Sequence, residues 1–214
     1  MNARRISKEI RRAFFCFLFQ GSSRLNVLPL LNYLTTLLDP YAIGHVSNMN
    51  KLAVELAIAA GVHSDSVEME NIELATALHD IGKFGIPESI RRQAGAYMPS
   101  ERLIMEQHPV IGARILILSM NGDINPEIVK IAKYHHERWN GSGYPEGLEG
   151  MQIPLGARIV AICDVFDAMT HDRGYRHAMT EADALQEMTD LQIAGPIYDP
   201  TLFRLFLELR KAKQ

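Results

Sequence analysis

The stretch His135-His136-Glu137-Arg138-Trp139-Asn140-Gly141-Ser142-Gly143-Tyr144-Pro145 sets two adjacent imidazoles at the end of a helical segment and follows them with a glycine-punctuated loop. Pro126 and Glu127 open that helix, and Ile128, Ile131 and Ala132 share a face with His135, so its ring points toward a core. From Trp139 to Gly150 the loop holds four glycines and one proline, which admit backbone conformations closed to other residues. Imidazoles turned inward at such a junction are costly unless they hold something.

Working outward, the other inward polar groups lie one helix-plus-loop apart. Val46, Met49, Ala53, Leu56, Ala57 and Ala60 give a helical period from Tyr41 to Ala60, closed by Gly61, and His45 falls near its buried side. Ile72, Ala75 and Leu78 set another apolar face, with His79 four residues after Ala75. Asp80 follows about 100° further round the turn, within reach of a shared cation. Ile81-Gly82-Lys83, Gly85 and Pro87 end that helix and leave a lysine beside the pair. Residues 88–100 read as a polar loop, Ser100 as the N-cap of a helix from Glu101 to His108, and Pro109 as the first turn of a successor through Val110, Ile111, Ile115 and Leu118. Asn121-Gly122-Asp123 reads as a turn. After the glycine loop, Ile159 to Met169 is apolar except at Asp164 and Asp167, the mark of a central helix, and a carboxylate inside it needs a partner or a metal. A last pair of helices spans about Glu181 to Asp190 and Pro200 to Lys211. No strand-like alternation and no repeat occurs, so the expectation is an all-α helical bundle.

The chain has 214 residues, enough for one domain with a short appendage. Its net charge of -3 gives no support for a backbone-directed nucleic-acid polymer binder, which would carry a basic excess. Two distant cysteines, Cys16 and Cys163, speak against a disulfide framework and for a reducing cytoplasm. Ile6, Ile10, Phe14 and Phe17 line one face of a first helix with arginines opposite, and a leucine-rich segment runs from Leu25 to Leu38. The basic residues ahead of Ala13–Phe19 read as part of that helix, because the apolar run is short and no small-x-small cleavage site follows. No segment has the roughly 18 apolar residues needed to span a bilayer. Residues 1–38 are expected as an N-terminal helical segment available for homodimerisation, and 39–214 as the main domain.

His45, His79, His108, His135 and His136, with Asp80 and Asp164, all fall on or beside apolar faces. Seven such groups are tolerable together as a metal centre. Nitrogen and oxygen donors without thiolate suit iron, manganese, zinc or similar ions. Seven exceed one tetrahedral shell, which points to two cations with Asp80 as the bridge. His63, His171 and His177 lie in polar surroundings and are read as ordinary surface residues.

His79-Asp80-Ile81-Gly82-Lys83 and His135-His136-Glu137 through Gly143-Tyr144-Pro145 resemble the two signatures of HD-GYP domains, the metal-dependent cyclic di-GMP phosphodiesterases of the HD superfamily. The similarity runs from about Asp39 to Leu207 and takes in Glu146-Gly147-Leu148, Ala157 to Val160, Asp164 to Ala168, Arg173 to Arg176 and Asp199-Pro200. It implies an HD-superfamily helical bundle with a glycine-rich GYP loop. It makes His45, His79, Asp80, His108, His135, His136 and Asp164 the metal ligands, with iron expected first, manganese next and zinc among the alternatives. Asp80 and Lys83 become catalytic, and Lys83, Gly143, Tyr144, Pro145, Arg173 and Arg176 substrate-binding. Tyr41 stands where some members carry a glutamate associated with a third metal, which favours two. Cyclic di-GMP is the implied substrate, with linear pGpG and then GMP as products. A domain that only binds cyclic di-GMP, or a protein partner through the GYP loop, is the first alternative. A phosphohydrolase for another cyclic dinucleotide or nucleotide is the second. Asn140 stands in place of a usual aspartate, Asn48 of an arginine, Gly174 of a proline, and Gln93-Ala94-Gly95 of Lys-Pro-Gly.

Overall fold

A computed structural model of the chain describes residues 45–93, 95–119, 123–172 and 177–213. The expected N-terminal segment 1–38 lies outside these residues, as do Tyr41, Arg173, Gly174 and Arg176.

Helix α1 (His45–Ala59) buries Val46, Met49, Leu52, Ala53, Leu56 and Ala57, the three-and-four spacing of a single apolar face. Gly61, at φ +93°, turns the chain out of it, a left-handed conformation that favours glycine. In α2 (Val67–Leu78) the Ser66 hydroxyl caps the first turn by accepting from the Met69 amide at 3.1 Å. A 3-10 turn, Ile81–Gly85, follows directly, so His79 and Asp80 stand at a junction between two helices and not within one. Short helices α3 (Glu88–Arg91) and α4 (Pro99–Met105) come next. Residues 88–100 are therefore not all loop, and Pro99, not Glu101, starts α4. A proline in the first position loses no helical hydrogen bond, and the Glu101 carboxylate accepts from the Met98 amide at 2.8 Å.

Helix α5 (His108–Ser119) packs on the 3-10 turn, and α6 (Pro126–Tyr134) starts behind an Asn125 cap. After the glycine loop, a 3-10 turn (Gly150–Gln152) leads into α7 (Leu155–Thr170). Helix α8 (Glu181–Ala194) runs past the expected end at Asp190. Its last turn carries Leu191 and Ile193 on the exposed surface, so no buried position marked the extension. Helix α9 (Pro200–Lys211) matches its expected span, with the Asp199 carboxylate accepting from Thr201 and Leu202.

The apolar run of α7 makes it the central helix, packed against α1, α2, α6, α8 and α9. Met49, Leu56, Ile72, Ile159, Ile162, Met188 and Phe206 are fully buried around it, and Phe166 meets Phe206 edge-to-face at 5.1 Å. Among the described residues there is no strand, only an isolated bridge between Asn140 and Glu149. No described helix is long and apolar enough to cross a membrane.

Candidate metal centre

Four helix ends meet at the middle of α7. His45 begins α1, His79 follows the end of α2, His108 begins α5, and His135 and His136 follow the end of α6. Asp164 is the mid-helix contribution of α7. The seven side chains fall into three overlapping groups, His108 with His135 and His136, His45 with His79 and Asp164, and His79 with Asp80 and His135; within each, donor atoms lie within 4.8 Å of one another. The structure thus brings together every side chain of the expected ligand set.

One local device orients three of the rings. The last carbonyls of a helix lack intrahelical partners. His79 Nδ1 donates to Thr76 O at 2.7 Å, His108 Nδ1 to Met105 O at 2.8 Å, and His135 Nδ1 to Ala132 O at 2.8 Å. A carbonyl only accepts, so each Nδ1 carries the proton and Nε2 is the atom turned to the centre. There His108 Nε2 lies 3.4 Å from His135 Nε2 and 3.3 Å from Asp80 Oδ1. His79 Nε2 lies 3.4 Å from Asp80 Oδ2 and 3.9 Å from Asp164 Oδ1, is buried, and has no hydrogen-bond partner among the described residues.

Electrostatics follow from burial and neighbours. Burial, with His79 and His108 beside it, lowers the His135 pKa to about 3, and burial with His135 and His108 pushes His136 well below its ordinary value. Both rings are neutral donors at pH 7. Burial would lower His79 too, but Asp80 and then Asp164 raise it to about 9, so the field there favours positive charge. Burial would raise Asp80 and Asp164, yet Lys83 and His79 hold Asp80 well below the usual carboxylate range, and His79 lowers Asp164 against the opposing charge of Asp80. Cys163 is buried, which pushes its thiol up, and among the described residues no cysteine joins the groups. An orphaned buried imidazole nitrogen among neutral nitrogens and ionised carboxylates fits a divalent cation. The cluster can therefore hold metal.

Lys83 Nζ donates to Asp80 Oδ2 at 2.5 Å. Gly82 lets the 3-10 turn touch α5: a Cβ there would sit 1.8 Å from the His108 carbonyl oxygen. Tyr144 closes the other side, its ring stacked on His136 at 4.8 Å and 27°. Its amide donates to His136 O at 3.2 Å, and the Tyr144–Pro145 peptide is cis.

Three residues that take part had no role assigned from sequence. Asp167, buried one turn after Asp164, accepts from His45 Nδ1 and from Asn48 Nδ2. His171, read as a surface residue, has Nδ1 3.2 Å from the same carboxylate. Glu137, also buried, accepts from the amides of Glu146, Gly147 and Leu148. The only sequence signal for Asp167 and Glu137 was a carboxylate set beside the other motif residues. Departures from the family pattern have local partners: Asn48 holds Asp167, Asn140 Oδ1 accepts from the Ser142 amide at 3.1 Å and hydroxyl at 2.6 Å, and Gln93 donates to Glu101 at 3.1 Å.

A helical bundle with this clustered centre is the architecture of an HD-type domain, and comparison agrees. The HD domain family profile matches residues 30–202. The chain is 40% identical over 185 residues to a cyclic di-GMP phosphodiesterase of Thermotoga maritima, covering 86% of this chain and 49% of that protein. It is 37% identical to the 3'3'-cGAMP-specific phosphodiesterase 2 of Vibrio cholerae, covering 77% of this chain and 30% of that one. A solved structure of Bd1817, an HDG"Y"P protein from Bdellovibrio bacteriovorus, superposes with a TM-score of 0.62 at 21% identity, covering 78% of this chain and 51% of that one. The chain belongs to the HD domain family. Within it, His79–Lys83 and His135–Pro145 carry the signatures of the HD-GYP branch. It spans less than half the length of these curated relatives.

Proposed function

We propose that the chain is a cytoplasmic, metal-dependent phosphodiesterase that hydrolyses cyclic di-GMP to linear pGpG and onward to GMP. His45, His79, Asp80, His108, His135, His136 and Asp164 would hold two divalent ions, iron or manganese. The observation that carries this reading is the buried His79 Nε2, which faces two carboxylates and has no hydrogen-bond partner among the described residues. Bound divalent ions supply Lewis acidity, which neutralises phosphate charge and makes hydroxide available at neutral pH.

The chain's own groups do the rest. Nδ1 bonds to helix-end carbonyls hold three imidazoles in fixed orientation before substrate arrives. Lys83, tethered to Asp80, keeps an ammonium beside the centre, where it stabilises charge that develops on a non-bridging phosphate oxygen. Water adds to phosphorus, the bond to the 3' oxygen breaks, and that oxygen takes a proton. Gly143, Tyr144 and Pro145 form the wall that receives the nucleotide, and Arg173 and Arg176 supply cations for phosphate or guanine.

Incubation of the metal-loaded chain with cyclic di-GMP, followed by separation of products, tests the reading. Linear pGpG is expected. Binding without cleavage in the presence of iron or manganese would contradict it and identify a binding module. Cyclic GMP-AMP belongs in the same assay, because a relative at 37% identity is named for that substrate.

A further inference from the structure

We infer that Glu137 is a positioning residue that seats Tyr144 at the mouth of the centre and so governs substrate grip, separately from metal retention. The kinetic part of this inference rests on the phosphodiesterase reading.

Glu137 is 3% exposed and has no ion-pair partner among the described residues. Among the described residues its carboxylate is met by backbone amides alone: Oε1 accepts from Glu146 N at 2.7 Å and Gly147 N at 3.1 Å, and Oε2 from Leu148 N at 3.0 Å. Hydrogen bonds to an ionised acceptor are roughly twice as strong as neutral ones. Across the same turn, a Cβ on Gly143 would sit 2.5 Å from Glu137 Cα, so the loop crosses the Glu137 backbone in direct contact. The loop is thus fastened on both sides of Tyr144. Its own amide is held by His136 O, and the three amides that follow Pro145 are held by Glu137.

Other bonds of the loop do not duplicate this. Lys133 and Tyr134 reach the Glu146 side chain at 2.5 and 3.1 Å, but on the exposed surface, where such pairs contribute little. Asn140 with Ser142, and the Gly150 amide with Trp139 O, fasten the base of the loop and not its tip. Loss of the Glu137 carboxylate therefore removes the fastening on the Pro145 side of Tyr144, loosens its stack on His136 and leaves the helix-end device at His135 intact.

Glu137→Gln preserves volume but turns an NH2 group toward an amide N–H. Three readouts test the inference. Hydrogen exchange at the amides of residues 146–148 should accelerate by about tenfold or more, the equivalent of losing one hydrogen bond. Metal content should match wild type. For cyclic di-GMP, KM should rise about tenfold while kcat stays within about threefold, as loss of uniform binding predicts. Glu137→Asp keeps the charge with a shorter reach and should give the same pattern at smaller amplitude, which keeps the test readable if Glu137→Gln does not fold. Unchanged exchange at 146–148, loss of metal from a folded variant, or a fall in kcat with KM unchanged would each overturn the inference. The exchange and metal measurements need no substrate, so an inactive wild-type chain would strike the proposed function while these two still decide the role of Glu137.

Discussion

Asp167, itself 1% exposed, accepts from the part-buried side chains of His45 and Asn48, so truncating it leaves both donors unmatched. Asp167→Ala should cost about 1–3 kcal/mol in urea unfolding. Chelator competition should show metal affinity about 10–100-fold lower, because the ring it orients belongs to the cluster. Unchanged affinity would detach Asp167 from the centre. Gly82→Ala tests the neighbouring contact: overpacking against the His108 carbonyl should cost about 1–3 kcal/mol and move Asp80 away from His108, readable as reduced melting temperature and reduced metal content. At this scale the sequence was legible only in part. His79 and His135 could be named because each follows an apolar helical face. Asp167 looked like an interruption of an apolar run, since its partners lie 122 and 119 positions away and no local period encodes them.

Helix α9 is fastened to α1 by Glu55, whose carboxylate accepts from Arg210 and, at 2.6 Å, from Lys213. Burial raises the Glu55 pKa, and the hydrogen bonds from Lys213 and Arg210 more than offset that, so it lies below its ordinary 4.5. A depressed carboxyl contributes stability above its unfolded value and loses it as pH falls through the folded one. Wild type should therefore melt above Glu55→Gln at pH 7, and the gap should close below pH 4.5. A gap that persists in acid would contradict the ion-pair account. Among the elements, α7 was legible because a helix packed on five neighbours must be apolar nearly all round. Helix α3, with only Ile90 buried, and the last turn of α8, with its apolar side chains exposed, gave no periodic signal.

Across the whole molecule, helix ends supply six of the seven clustered side chains and the centre of α7 supplies the seventh. This division has a physical basis. Helix interiors pack too tightly to admit converging imidazoles, whereas a helix end offers unpaired carbonyls that fix a ring by its Nδ1. Composition and periodicity named the inward polar groups one helix at a time; their convergence required the packing of α1, α2 and α6 on α7 and of α5 on α6 and the 3-10 turn, which no single stretch specifies. Metal binding by these seven side chains is the property on which the phosphodiesterase reading stands. Its most direct measurement is metal content of the purified chain after exposure to iron or manganese, compared with Asp80→Ala. Wild type should hold two equivalents and the variant clearly fewer; a folded wild-type chain that takes up neither metal would contradict metal binding at this cluster.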